Sequence, residues 1–394
     1  MNILYNISIW IYVFIINKMS LFNSKAKLWK NGRKNIFNQL RNRLLNDKNI
    51  AWFHCASLGE FEQIKTILID YKSKYPHHKI LLTFFSPSGY ESKKNTQLCD
   101  WIFYLPADTK SNAKKFIQVV KPIKAIFVKY EFWFNYMHEL KKSNIPLYSI
   151  SSIFRKNQLF FKYKWWGKQL KNVNHFFVQD ENSAYLLKKI GIKQSTVVGD
   201  TRFDSVFYNS KNLKQDSLIE KFCKNKKTII CGSTWPKDEA LLIKYIQNHP
   251  QNNYIIAPHE MHYVSKLKKR TNGLLYSEAN TQNILKNNVL IVNTIGILSN
   301  IYQYGHISYI GGGFEKGIHN ILEAITFGLP VIFGPKYHKF NEAKEYINQK
   351  GAITISNYSD LISAFKRFEN FDNSIAHKFI KQNTGATKTI INLL

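Results

Sequence analysis

A chain of 394 residues exceeds what one hydrophobic core usually organises, so two domains are expected. A hydrophobic share of 44% with 15% aromatics excludes a disordered chain, and four scattered cysteines (Cys55, Cys99, Cys223, Cys231) exclude a disulfide framework or a zinc spacing. Lys and Arg number 56 against 26 Asp and Glu, a net charge of +30 that suggests an anionic partner (nucleic acid, anionic lipid or a phosphorylated substrate) or, as the competing reading, a compositional bias spread along the whole chain.

The chain opens on "ILYNISIWIYVFII" (Ile3–Ile16), apolar except for Asn6 and Ser8. As a helix this run spans about 21 Å, short of the roughly 30 Å hydrocarbon core. Extension through "NKMSLF" completes a span if Lys18 snorkels. No positive charge precedes the run and no small-residue cleavage site follows it, which argues against a secretory signal. From Lys18 to Lys48 there are nine Lys/Arg and one acid, Asp47. That asymmetry places the following domain on the cytoplasmic side. Residues 1–22 are therefore read as a membrane anchor, spanning or interfacial; the competing reading is a buried first helix.

Short β-rich runs then alternate with helix-length polar segments. In the first half they cover residues 50–57, 79–85, 101–106, 124–130, 146–153, 175–180 and 195–200. In the second they cover 227–234, 254–259, 273–278, 289–294, 307–313, 330–335 and 352–357. Continuous apolar runs spaced by helices indicate parallel sheets covered on both faces. The polar stretch 209–227 lacks such a run and is taken as the linker between domains 23–208 and 228–394. The expected fold is α/β: two doubly wound Rossmann-like domains facing a central cleft.

Polar residues cluster where the strands end. "HCASLGEFEQ" (His54–Gln63) puts Glu60 at the start of a helix, where a carboxylate is stabilised as the anion. Helix cap is the stronger reading from these residues alone; general base is the functional one. "KYEFWFN" (Lys129–Asn135) sets Glu131 among aromatics, either packed against a sugar or salt-bridged at the surface. "VVGDTRFDSV" (Val197–Val206) offers Arg202, whose fork could clamp an anion. "CGSTWPKDEA" (Cys231–Ala240) is a strand, a small-residue turn and a helix, with N–H groups suited to phosphate. "APHEMH" (Ala257–His262) is H-E-x-H and not the helical H-E-x-x-H of zinc sites, so metal is discounted. In "GGGFEKGIHNILE" (Gly311–Glu323) the glycines are read as clearing space for a ligand. The helix opening near His319–Asn320 would aim its N–H groups at phosphate, leaving Glu323 to accept from ribose hydroxyls. The competing reading is a tight strand–turn–helix junction.

Taken together, "WFHCASLGE", "YEFWFN", "GDTRFD", "GST" and "GGGFEKGIHNILEAITFGLPVIFGPKYHKFNEA" resemble the family of 3-deoxy-D-manno-octulosonic acid (Kdo) transferases, in the family's order and over nearly the whole chain after the anchor. The resemblance implies a GT-B-type glycosyltransferase. It would move Kdo from CMP-Kdo to a tetraacyl lipid A precursor, at the cytoplasmic face of the inner membrane, in lipopolysaccharide biosynthesis. It implies Glu60 as catalytic base, Glu131 as transition-state support, and Arg202 where the family usually has Lys. Pro258, His259 and Glu260 stand where many members have "PRH". Ile295, Gly296 and Ile297 match an "MGE"-like segment whose Glu is missing here. Asn320, Ile321, Leu322 and Glu323 match the nucleotide-binding "N-P-L-E". "GSTWPKDE" lacks the His of "GSTHEGEE". The implied partners are CMP-Kdo as donor substrate, the lipid A precursor and an anionic membrane surface, with no separate cofactor, no metal and no nucleic acid. The alternatives are a membrane-associated GT-B enzyme using a UDP-sugar and, in another class, a basic nucleic-acid-binding protein. No RRM, KH or helix-turn-helix signature favours the latter.

Overall fold

A computed structural model describes residues 2–44 and 47–394. Among them, fourteen strands form two all-parallel sheets of seven. The first contains β1 (Ile50–Cys55), β2 (Lys79–Phe84), β3 (Trp101–Tyr104), β4 (Lys124–Val128), β5 (Leu147–Ser152), β6 (His175–Val178) and β7 (Ser195–Val197), in spatial order 3-2-1-4-5-6-7. The second contains β8 (Thr228–Thr234), β9 (Asn253–Pro258), β10 (Leu274–Leu275), β11 (Val289–Ile291), β12 (Ile307–Ile310), β13 (Val331–Phe333) and β14 (Ala352–Thr354), in order 10-11-9-8-12-13-14. Each apolar run of the sequence holds one strand, and the expected doubly wound fold class stands.

The reason is visible in β1. Successive side chains point to opposite faces of a sheet. Trp52 enters one core cluster with Phe116, Phe127 and Tyr136. Its neighbour Phe53 enters the other, with Phe61, Ile64, Phe84 and Ile126. Helices cover both faces, so neither parity of the strand can be polar. In each sheet the order reverses beside the first strand, between β1 and β4 and between β8 and β12; in the second, β11 also inserts between β9 and β10. At such switch points the crevice beyond the strand ends takes ligands.

The chain divides at Ser205/Val206, and the first unit also takes Thr384–Leu394. The sequence reading had given that tail to the second domain. The closing helix Ala386–Leu393 buries Ile390 and Ile391 in the first unit's core. Asp204 holds it by accepting from the Gly385 and Thr387 N–H groups at 2.7 and 2.8 Å. The Lys74 Nζ donates to the Ile391 carbonyl at 2.6 Å, and the Lys124 Nζ donates to the Leu394 carbonyl. The stretch read as a linker contains the helix Ser217–Cys223, capped by Asp216 and burying Ile219, Phe222 and Cys223.

Three helices precede β1: α1 (Asn2–Met19), α2 (Ser24–Asn31) and α3 (Ile36–Arg43). No single helix among the described residues is long and apolar enough to cross a membrane; α1 and α2 pass that test only as a pair bent by 118°. One side of α1 docks on the first unit. The Tyr5 hydroxyl donates to Asp108 at 2.6 Å, the Asn135 amide donates to Asn6, and Tyr12 lies against Trp29 and Phe85. The other side bares Ile3, Trp10 and Phe14, more than 60% exposed each. Thus α1 is neither buried as a core helix would be nor free of the domain.

Candidate functional site

In the first unit the switch point brings His54 and Glu131 together. His54, next to the last residue of β1, has no exposed surface. Glu131 follows β4 across a turn in which Lys129 adopts a left-handed backbone, φ 55°. Glu131 Oε2 stands 3.3 Å from His54 Nε2 and accepts from the Trp133 indole N–H at 2.8 Å; the same N–H is 3.0 Å from His54 Nε2. On its other side, His54 Nδ1 lies 3.1 Å from the Thr83 carbonyl oxygen, which can only accept, and 2.9 Å from Oγ1. The Trp133 indole N–H thus stands between the ring and the carboxylate and ties them together. Asp108, fully buried, fixes the helix Phe134–Lys142 that follows by accepting from the Asn135 and Tyr136 N–H groups at 3.0 Å each. Burial pushes its carboxyl up to about 6.

Glu60 opens α4 (Leu58–Lys74). Its Oε2 accepts from the Ser57 N–H at 2.7 Å and the Ser57 hydroxyl at 3.0 Å, so the cap reading of the sequence is realised. Desolvation, then the nearby Glu131 carboxylate, raise its pKa against the opposing Ser57 hydrogen bonds. Two carboxylates at one switch point, one of them held as a weaker acid, are equipment for taking a proton from a hydroxyl.

Arg202 lies on the helix Thr201–Lys211. That helix touches the first turn of α4 where the Ser205 hydroxyl donates to the Glu62 carbonyl. The Arg202 fork is already engaged: Nε and Nη2 both donate to Asp200 Oδ2, at 2.8 and 2.6 Å.

In the second unit the switch point joins the end of β8 to the glycine stretch. Asp238, buried in the helix Pro236–Asn248, accepts from the Trp235 N–H at 2.9 Å, the Gly312 N–H at 2.9 Å and the Tyr309 hydroxyl at 2.7 Å. The glycines are explained by the chain itself. A Cβ on Gly311 would stand 2.2 Å from the Ser233 carbonyl oxygen, one on Gly313 2.6 Å from Gly334 backbone, and Gly312 has φ 91°. Room for a ligand, the sequence expectation, is not what requires Gly311 and Gly313; backbone-to-backbone packing is.

Above this junction three rings stack. His259 lies 4.8 Å from Trp235 and 4.4 Å from His319, and the Trp235 indole donates to His319 Nε2 at 3.0 Å. Desolvation, then His259, lower the His319 pKa to about 4, so its ring is neutral near pH 7. Trp235 thus fills the place where the resembled family carries His. Pro258 closes β9 in a buried position, while Glu260 turns away to pair with His262 at 3.3 Å. Among the described residues no group of three or more His, Cys, Asp or Glu could hold a metal ion.

The helix expected near His319–Asn320 begins later and is short, Leu322–Ile325. Asn320 accepts from the Leu322 N–H at 3.1 Å and donates its amide to Glu323 Oε1 at 3.1 Å, while Ile321 is buried beside it. Glu323 lines a small hollow with Asn209, Ser210, Ser299 and Asn300. Gly296 has φ 91°, its neighbour Ile295 is 83% exposed, and Ile297 precedes the helix Leu298–Ile301.

Sequence reasoning missed His54, Asp108, Trp235 and Asp238. His54 had a signal, a polar side chain near the end of a buried strand two residues before a small-residue turn. Asp108 had none, because its partners lie across the fold.

Residues 31–205 match the family described as 3-Deoxy-D-manno-octulosonic-acid transferase (kdotransferase). A 3-deoxy-D-manno-octulosonic acid transferase from Aquifex aeolicus is 28% identical over 81% of this chain and 86% of its own length. One from Rickettsia bellii is 29% identical over 86% of this chain and 84% of its own. Among solved structures, UDP-GlcNAc 2-epimerase from Neisseria meningitidis bound to UDP-GlcNAc shares the fold, with a TM-score of 0.61 at 15% identity, over 87% of this chain and 98% of that one. The resemblance carried by the motifs therefore holds along most of the chain.

Proposed function

We propose that this relative of the Kdo transferases is itself a glycosyltransferase that moves Kdo from CMP-Kdo to the lipid A precursor, at the cytoplasmic face of the inner membrane. The observation that carries the reading is the Glu60–Glu131 couple at the first unit's switch point. In the step proposed, Glu60 takes the proton of the acceptor hydroxyl. The hydroxyl oxygen bonds to the anomeric carbon of Kdo. The bond from that carbon to the phosphate oxygen breaks, and CMP leaves with the electron pair. One displacement inverts the anomeric centre. Glu131, held beside His54 by the Trp133 indole, sets the field around Glu60. The leaving group is a single phosphate, so backbone N–H groups and Arg202 suffice to stabilise it without a metal. The second unit holds CMP around the Trp235–His259–His319 stack and the Asn320–Glu323 pair.

Attachment to the membrane is supported by the bared apolar face of α1 and by the basic segment after it. Lys and Arg near an anionic surface contribute on the order of 1 kcal/mol each. The test is transfer from freshly generated CMP-Kdo to tetraacyl lipid A precursor, with products weighed by mass spectrometry. A UDP-sugar panel run beside it must be inactive; turnover with a UDP-sugar and none with CMP-Kdo refutes the donor.

A further inference from the structure

We propose that an open pocket in the first unit, walled by α1, α2, α3 and the helix Lys110–Val120, is a binding site for the phosphoryl headgroup of a bilayer lipid, with preference for a phosphomonoester. The pocket measures about 450 Å³, and its lining includes Lys30, Arg33, Arg41 and Lys115 but no carboxylate. The nearest acid in sequence, Asp108, is committed to Tyr5, Asn135 and Tyr136.

The floor is the telling part. Arg33 donates from Nε to the Leu105 carbonyl at 2.8 Å, from Nη1 to the Trp29 carbonyl at 3.0 Å, and from Nη2 to the Phe85 carbonyl at 2.8 Å. Its guanidinium lies 3.9 Å from the Trp29 ring centre, with Tyr104 and Phe85 at 4.9 and 5.0 Å. Every one of these partners is neutral. They orient a cation and leave its charge uncompensated, with two of its five N–H groups unused. A partly desolvated charge normally finds an opposite one. Beside it the Trp29 indole N–H, in a residue 95% buried, has no acceptor among the described residues. Three further cations stand at the rim. One fixed guanidinium, one orphan indole donor and three rim cations without an acid describe a site for an anion with several oxygens.

The membrane supplies the rest of the ligand. α1 contributes Val13 to the wall and bares Trp10 and Phe14 toward solvent. A headgroup seated here can keep its acyl chains along that face. A phosphomonoester carries nearly two charges near neutral pH and three terminal oxygens, against one charge for a phosphodiester. General attraction to a charged surface cannot tell the two apart when surface charge is equal; a built site can. The inference rests on the membrane attachment proposed for α1, and not on Kdo chemistry.

The test uses the full chain and vesicles of neutral phosphatidylcholine carrying either phosphatidic acid or phosphatidylglycerol, matched in zeta potential. Co-sedimentation is expected to show roughly tenfold tighter binding to phosphatidic acid, the size of one charged hydrogen bond. The double variant Arg41→Gln with Lys115→Gln, at exposed positions that leave the fold intact, should lose that preference and keep the phosphatidylglycerol affinity. Arg33→Lys should lose it too, with thermal melting as the check on folding. Equal binding at matched charge, or a preference that survives the double variant, overturns the site. Inorganic phosphate that abolishes the preference at millimolar concentration overturns the lipid assignment in favour of the free ion; a preference it leaves unmoved upholds it. Kdo transfer to detergent-dispersed acceptor is measured on the same variants and should not change, so failure of the enzymatic reading and failure of the lipid site give different results.

Discussion

Glu60→Gln separates two roles that the structure superimposes on one oxygen. Oε2 caps α4 by accepting from the Ser57 N–H and hydroxyl. The same carboxylate is the proposed base. Glutamine keeps a carbonyl oxygen in the cap and cannot take a proton, so the helix should survive while catalysis does not. Loss of a whole cap costs about 0.5–2 kcal/mol, and the substitution should cost well under that. Loss of the base should cost about 10²–10⁴ in rate, or about 3–5 kcal/mol of barrier. Two pH signatures accompany it. Desolvation and Glu131 raise the Glu60 pKa, so the rising limb of kcat/KM against pH should sit above the usual carboxylate range and vanish in the variant. For stability the sign is the reverse of a salt-bridged acid. A folded pKa above the unfolded one means that ionisation opposes folding: the contribution is fully present below the unfolded pKa and is lost as pH rises through the folded one. The melting-temperature advantage of wild type over Glu60→Gln should therefore shrink from pH 4 to pH 7. Transfer by mass spectrometry and melting curves at both pH values decide it. Near-wild-type turnover in a folded variant, or an unchanged rising limb, refutes the reasoning.

His54→Gln should lower kcat about 10–100-fold with little change in CMP affinity, as loss of a charged hydrogen bond predicts, and should alter the Trp133 near-ultraviolet signal; an unchanged kcat removes His54 from the positioning of Glu131. Glu323→Ala should weaken CMP by roughly one to two powers of ten and 2′,3′-dideoxy-CMP much less, by calorimetric titration of both nucleotides; equal losses would make Glu323 a support of its helix only. Arg202→Lys should keep a good part of the activity and Arg202→Ala should lose it; equal loss would assign the Arg202–Asp200 fork a structural role. Tyr5→Phe should destabilise the first unit by about 1.5–3 kcal/mol in denaturant melts, because Asp108 loses a hydrogen bond to a charged acceptor; no change would mean that α1 docks by its apolar contacts alone.

All fourteen strands were legible because parallel strands covered on both faces must be apolar at both parities, as Trp52 and Phe53 are. The helix Ser217–Cys223 was overlooked although Asp216 before an apolar i, i+3 pattern announces it. The destination of Ala386–Leu393 could not be read, since its partners Asp204, Thr66 and Lys74 lie far away in sequence. The site was legible wherever a carboxylate ends a strand or opens a helix, as with Glu60 and Glu131. It was not legible where long-range contacts assign the role. Gly311 and Gly313 looked like a ligand floor because close approach to a ligand and close approach to Ser233 or Gly334 demand the same missing Cβ.

The return of the last helix to the first unit sets an order on synthesis. The ribosome releases β1–β7 long before Ile390 and Ile391, which fill a face of that same core. Until Ile390 and Ile391 emerge, the nascent first unit must wait with part of its apolar surface uncovered. The second unit, contiguous from Val206 to Asn383, can close on itself in the meantime. Vectorial folding is thus inverted here: the half made first is the half completed last.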